Sequence, residues 1–233
     1  MEQGDLNLPP LVQGSFVKRD NRFRATVTVA GRQAWAHVPN SGRLGELLTP
    51  GRPVWLAPAG DPERKTAYDL KLVEFAGVLV SVDARLPNPL LAEALAGERL
   101  QAFDYPEIRR EVALGASRLD FRLSGPDGAC WVETKSVTLV TDGLAQFPDA
   151  PTERGRKHLS ELMKARASGD RAAVVFVVQR ADAVKFTPYS QADPLFAAAL
   201  QDAAAAGVEI YAFTCRVSLE SIFLAAEIPV TLL

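Results

Sequence analysis

Residues Arg118–Lys135 read RLDFRLSGPDGACWVETK, and the fold turns on how this stretch pairs with itself. Leu119, Phe121 and Leu123 alternate with Arg118, Asp120 and Arg122, the period of a half-buried strand. Ser124–Ala129 is rich in turn formers, and Cys130–Val137 is a second strand candidate. If that link closes a simple hairpin, Asp120 lies opposite Glu133 and Arg118 opposite Lys135. Upstream, Ile108–Leu114 followed by Gly115-Ala116 as a two-residue turn makes another hairpin, which sets Glu111 beside Asp120. Three carboxylates then form a row across three neighbouring strands, next to a positive row of Arg118 and Lys135. Directly opposed side chains have Cβ atoms about 4.5–5.5 Å apart, where like charges repel. A divalent cation removes that repulsion, and carboxylate oxygens are the ligands Mg²⁺ favours. The plainer alternative is an exposed hairpin face whose charges pair diagonally. The acids align with one another rather than with the arginines, which speaks for the metal.

Outward from this stretch, two grammars divide the 233-residue chain. Up to residue 84, short strands alternate with turns. Phe23, Ala25, Val27 and Val29 form one face of a strand, Ala30-Gly31 is a turn, and Gln33–Val38 returns. Pro39–Gly42 ends that strand; Val54–Leu56 and Tyr68–Phe75 supply two more. This spacing predicts a small closed barrel over residues 1–84. From residue 85 to 233, helix and strand mix. Asn88-Pro89 opens a helix through Gly97, with Asn88 as its cap. Thr152 caps a helix to about Ala167, and Ala172–Gln179 reads as a strand buried on both faces. Pro194–Ala206, closed by Gly207, is a further helix, and Val208–Phe213 a further strand. The expected class is α/β (α+β): a barrel followed by a mixed sheet flanked by helices.

Composition sets the outer limits. The chain is 48% hydrophobic and 23% charged, which excludes disordered and low-complexity classes. The longest apolar run, Ala172–Val178, is far short of the roughly 18 residues that span a bilayer, so no membrane partner is expected. MEQGDLNLPP lacks a basic start and apolar block, and two cysteines make no disulfide framework; a cytoplasmic protein with reduced thiols is expected. Net charge is −2, but positive charge gathers locally. Arg154, Arg156, Lys157, Lys164, Arg166 and Arg171 form one cluster, and Lys18, Arg19, Arg22 and Arg24 another. Walker loops, dinucleotide fingerprints and Gly-x-Ser-x-Gly elbows are absent, and two histidines cannot make a multi-histidine zinc site.

The segments NRF (21–23), HVPNSGRLGELLTPG (37–51), SRLDF (117–121), VETKSVTL (132–139) and FPDAPTERGRKHLSELM (147–163) resemble the sugar fermentation stimulation protein A family of bacteria and archaea. The resemblance runs over nearly the whole chain, to IPVTL (228–232). It implies an N-terminal OB-like β-barrel that binds nucleic acid, followed by a PD-(D/E)xK restriction-endonuclease-like mixed-sheet domain. It also implies DNA as partner, with RNA as a second candidate, and Mg²⁺ or Mn²⁺ as cofactor. Asp120, Glu133 and Lys135 match the nuclease motif. Asp120, Glu133 and the Thr134 backbone carbonyl would hold the metal, with Glu93 or Glu98 as the upstream helix acid and Glu111 as the strand alternative. Thr134 stands where the family commonly has Val, and Ser41 where Thr is usual; the second change keeps the hydroxyl.

Lys135 would orient the attacking water. Arg154, His158 and Glu161 share a helix face and, with Lys157, would grip phosphate beside Arg118. On the barrel, Lys18, Arg19, Arg22, Arg24 and Arg43 would supply a basic groove, and Asn40 and Ser41 a turn that bonds sugar or phosphate. Trp35 reads as barrel core, with a base-stacking platform as the alternative. Two functions follow: a metal-dependent phosphodiesterase, or a non-catalytic DNA-binding regulator of sugar (maltose) utilisation genes.

Overall fold

A computed structural model describes residues 5–61, 63–126 and 128–232. Met1–Gly4, at the start of the segment examined for a signal peptide, and Asp127, within the hairpin link, lie outside the described residues. The elements run β1 (Leu6–Asn7), β2 (Val12–Asn21), β3 (Arg24–Val29), β4 (Arg32–His37), β5 (Pro53–Pro58), β6 (Tyr68–Phe75), β7 (Val78–Ser81) and α1 (Pro87–Ala96). Next come β8 (Glu107–Leu114), β9 (Ser117–Gly125), β10 (Gly128–Val137), β11 (Leu139–Thr141), β12 (Leu144–Phe147) and α2 (Glu153–Ala167). The chain ends with β13 (Arg171–Val178), β14 (Lys185–Pro188), α3 (Pro194–Ala205), β15 (Glu209–Val217) and β16 (Ser221–Glu227).

In the first half the strands pair in the order β4-β3-β2-β5-β6-β7, and β4 also pairs in parallel with β6, which closes a barrel. Phe16, Ala25, Val27, Val54, Leu56 and Leu70 fill it. Inward alternation holds at Ala25 and Val27, but Phe23 is 49% exposed, because the β2–β3 turn carries it beyond the barrel wall. Strand β2 escapes the alternation rule: its register shifts twice, between Phe16 and Lys18 and between Arg19 and Asn21.

The second half is built on β13. Its residues Ala172, Val174, Phe176 and Val178 pack under α2 and α3, while Ala173, Val175 and Val177 pack toward α1. Each such Val or Phe contributes about 1.5–3 kcal/mol by burial, so this strand rather than the exposed β8 edge anchors the sheet. The order is β1-β16-β15-β13-β10-β9-β8, with β10, β13 and β15 mutually parallel. A small sheet, β11-β12-β14, flanks it.

The domains are bolted together where β13 ends. Ser81 N donates to Gln179 O (3.0 Å), Ser81 Oγ bonds Gln179 Oε1 (3.0 Å), and Gln179 Nε2 donates to Asp83 O (3.1 Å). Ser81, Asp83 and Gln179 are buried. The Asp83 carboxylate accepts from Arg85 Nη2 (2.6 Å) and Lys71 Nζ (3.2 Å).

Candidate functional site

The β9–β10 ladder keeps the predicted register from Gly125↔Gly128 to Phe121↔Val132 and then stops. Asp120 and Glu133 therefore do not form the last rung, and Arg118 does not face Lys135 but pairs with Ala113 on β8. The cause is local. The Thr134 N–H donates to Asp120 Oδ2 (2.7 Å), and the Thr134 hydroxyl donates to the same oxygen (2.6 Å). A side chain thus takes a main-chain donor, the strands diverge, and a cleft of about 540 Å³ opens between them. Along its other edge β10 pairs with β13 without a break, from Cys130↔Arg171 to Val137↔Val178, which sets Lys135 opposite Phe176. The β8–β9 ladder is interrupted at the same level: Glu111 has φ +53°, between the regular pairs Arg110↔Phe121 and Val112↔Leu119. Leu119 accordingly joins the α2 core, whereas Phe121 and Leu123 pack under α1.

Asp120, Glu133, Lys135, Glu111 and Thr134 all line this cleft. The Asn88 amide joins two of the acids, Nδ2 donating to Asp120 Oδ1 (3.0 Å) and to Glu111 Oε1 (3.1 Å). Arg110 fixes that amide by donating to Asn88 Oδ1 from Nη2 (2.7 Å) and Nε (3.2 Å). Asn88 is not the helix cap. Leu86 occupies that position without a side-chain bond, and Asn88 lies in the first turn of α1, facing the acids. Glu93 and Glu98 are exposed and lie outside the cleft lining, since the far end of α1 leads away from it. Asn88 and Arg110 are the site residues the sequence reading missed; the Asn-Pro pair drew attention only as a helix start.

Glu133 forms the floor. It is 3% exposed, and its Oε1 is bonded by both the Lys135 ammonium and His158 Nδ1. Burial pushes the Glu133 carboxyl up, but Lys135 and His158 outweigh it and hold it below the usual carboxylate range. Arg154 Nε donates to His158 Nε2 (3.3 Å). An arginine Nε–H can only donate, so Nε2 is the acceptor and the proton sits on Nδ1, facing Glu133. At 4% exposure His158 cannot grip phosphate, and it serves to hold Glu133. Glu161 is buried as well, paired with Lys164 (3.0 Å) beneath the Gly115 turn. Arg154 lines the cleft and Lys157 is exposed beside it on α2.

Among the described residues, no three His, Cys, Asp or Glu side chains come together as a ready-made metal cage. The donors still suit a hydrated divalent ion: Mg²⁺ is commonly held by one or two carboxylates and keeps several waters. Glu133 Oε2, which is buried and has no hydrogen-bond partner among the described residues, is an oxygen of that kind. The thiols offer no competing chemistry. Cys130 and Cys215 are free and buried, and burial raises both, Cys130 to about 12.

The predicted barrel residues separate into different roles. Arg19 is occupied internally, donating to the carbonyls of Asn40, Gly42, Arg43 and Arg22 at 2.6–2.8 Å. Asn40 is likewise committed, to Val82 O (3.0 Å) and the Gly42 N–H (2.8 Å). Arg22 and Ser41 line the seam between the domains, and Arg43 is exposed. Lys18, Arg24 and Trp35 border a separate depression on the barrel. Trp35 is 45% exposed rather than core, with the Arg24 guanidinium 4.4 Å from its ring centroid.

Residues 85–221 match the family model described as the sugar fermentation stimulation protein RE domain, and residues 17–82 match the SfsA N-terminal OB domain. The chain belongs to the sugar fermentation stimulation protein family. Relatives described as sugar fermentation stimulation protein homologs include one from Desulforamulus reducens, 48% identical over 229 residues (98% of this chain, 95% of that one). Another, from Moorella thermoacetica, is 48% identical over 226 residues (95% and 97%). A solved structure described as Pyrococcus furiosus SfsA in complex with Ca²⁺ has a TM-score of 0.89 at 35% identity, covering 97% of this chain and 98% of that one. Among the described residues, no helix is long and apolar enough to cross a membrane.

Proposed function

We propose that this family member binds DNA and hydrolyses its phosphodiester bonds at a divalent-metal site of the PD-(D/E)xK kind, with Mg²⁺ or Mn²⁺ as cofactor. One observation carries the reading: Asp120, Glu133 and Lys135 meet in one cleft, with Glu133 Oε2 buried and without a hydrogen-bond partner among the described residues. The relative from Pyrococcus furiosus is described with Ca²⁺, which supports a divalent ion here. When bound, such an ion polarises a phosphoryl oxygen and lowers the pKa of its water. Asp120 and Glu133 would hold it. Thr134 and Asn88 orient Asp120, and His158 orients Glu133. The Lys135 ammonium, steadied by Glu133, orients the attacking water and offsets the charge developing on the phosphorus centre. Arg154 and Arg110 line the rim, where they would receive the flanking phosphates.

The second reading is a DNA-binding regulator without catalysis, or one that binds RNA. It is favoured by Glu133 Oε1 being engaged by both Lys135 and His158. A cleavage assay with Mg²⁺, Mn²⁺ or EDTA, run beside a gel shift, separates the two. Asp120→Ala is expected to lose cleavage by at least about 10²-fold while retaining DNA binding. A wild type that binds DNA but cleaves with neither metal, or an Asp120→Ala protein that cleaves as well as wild type, overturns the enzymatic reading.

A further inference from the structure

Past Lys135, β10 runs into a second cavity of about 320 Å³ at the seam between the domains. Ser41, Ala84 and Thr152 line both cavities, so the two adjoin. A strand rises about 3.3 Å per residue, which places Val137 roughly 7 Å beyond Lys135, about one nucleotide's reach. The lining is mixed, and Val137, Leu139, Phe147 and Pro148 supply its apolar part. Phe147 is braced edge-on by Phe196 (centroids 5.1 Å apart), which keeps the ring from collapsing inward.

Half of the polar side chains that line it already have protein partners. Asn40 is committed as described, Asp149 Oδ2 accepts the Leu44 N–H (3.2 Å), and Thr152 caps α2. Among the described residues the Gln146 amide has no hydrogen-bond partner, nor have the exposed Arg22 guanidinium and the Ser41 and Thr138 hydroxyls; Gln146 supplies the one unspent amide. Apolar walls for the faces of a planar ring, with one unspent amide for its edge, fit a nucleobase.

We propose that this cavity receives one unpaired base of the strand whose phosphate enters the carboxylate cleft. Gln146 contacts the base edge and Arg22 the adjoining phosphate. The inference rests on the nucleic-acid reading above and narrows it: a base stacked inside a duplex cannot enter, so the substrate is single-stranded or locally opened.

Fluorescence anisotropy in EDTA tests this with the full chain and three labelled probes: a short single strand, an abasic strand of equal length, and the blunt duplex. Gln146→Ala should bind the base-bearing strand about tenfold more weakly than wild type and the abasic strand equally well. Such a result also shows that the variant is folded. Equal binding of the base-bearing strand by both proteins, or equal weakening on both strands, overturns the pocket. Wild type binding none of the probes overturns the nucleic-acid reading itself. Because EDTA removes cleavage from the readout, a failed cleavage experiment with Asp120→Ala leaves this test intact.

Discussion

In the barrel, Arg19 is ringed by four backbone carbonyls and Arg24 lies against the open face of Trp35; in the mixed sheet, Glu133 and His158 lie almost wholly out of water, tied to one another. The barrel holds these two arginines near solvent, Arg19 on neutral carbonyls and Arg24 between the Trp35 ring and the Asp20 carboxylate (3.5 Å). The sheet holds its charges in the floor of a cleft with charged or strongly polar ones. Electrostatics is stronger where water is excluded, and so is the penalty for a missing partner. The barrel is therefore suited to adaptable contact and the sheet to a preorganised site.

Substitution of Glu133 probes this contrast most severely. Glu133→Ala leaves the Lys135 ammonium without its acid and should cost about 3–5 kcal/mol, read from urea unfolding. A loss below 1 kcal/mol would place Glu133 on the same footing as a surface acid. Arg19→Ala strips four carbonyls of a donor, yet water can replace it at this partly exposed loop, so about 2 kcal/mol is expected in the same measurement. Trp35→Ala should change stability by no more than about 0.5 kcal/mol. Its effect belongs in single-strand binding, at about 1 kcal/mol, because an incoming base must first displace Arg24 from the ring.

Acid titration examines the seam between the two regions. Burial raises the Asp83 carboxyl, but Arg85 and Lys71 outweigh it and the folded pKa is depressed. The resulting stability is present above the unfolded value of about 3.9 and is lost as pH falls through the folded one. Asp83→Asn should flatten that acid limb of the unfolding curve and leave the slope above pH 5 unchanged.

Legibility follows the same division. The hairpin register was readable because turn length and alternation fix it together, and Ala172–Val178 announced a doubly buried strand. The Thr152 cap was equally plain. The point where the ladder breaks was hidden, because it depends on one Asp120 oxygen taking the Thr134 N–H, a choice no periodicity records. Asn88 was misread for a related reason: in sequence an Asn before Pro looks like a cap, and only the neighbouring strands reveal its second use. Trp35 shows the limit of composition, since a large ring on a barrel strand is core or platform according to which face it occupies. Strands β11, β12 and β14 are three or four residues long, and β14 joins β12 from about forty residues downstream, too short and too distant for a local pattern.

Gln179, clamped between Ser81 and Asp83 where β13 ends, ties the barrel to the sheet beside the two cavities. On the proposal above, a strand reaching both cavities would bend or unstack to do so, and the cost of that deformation would become part of the recognition. Selection would then act on the stiffness of the strand as well as on its chemistry.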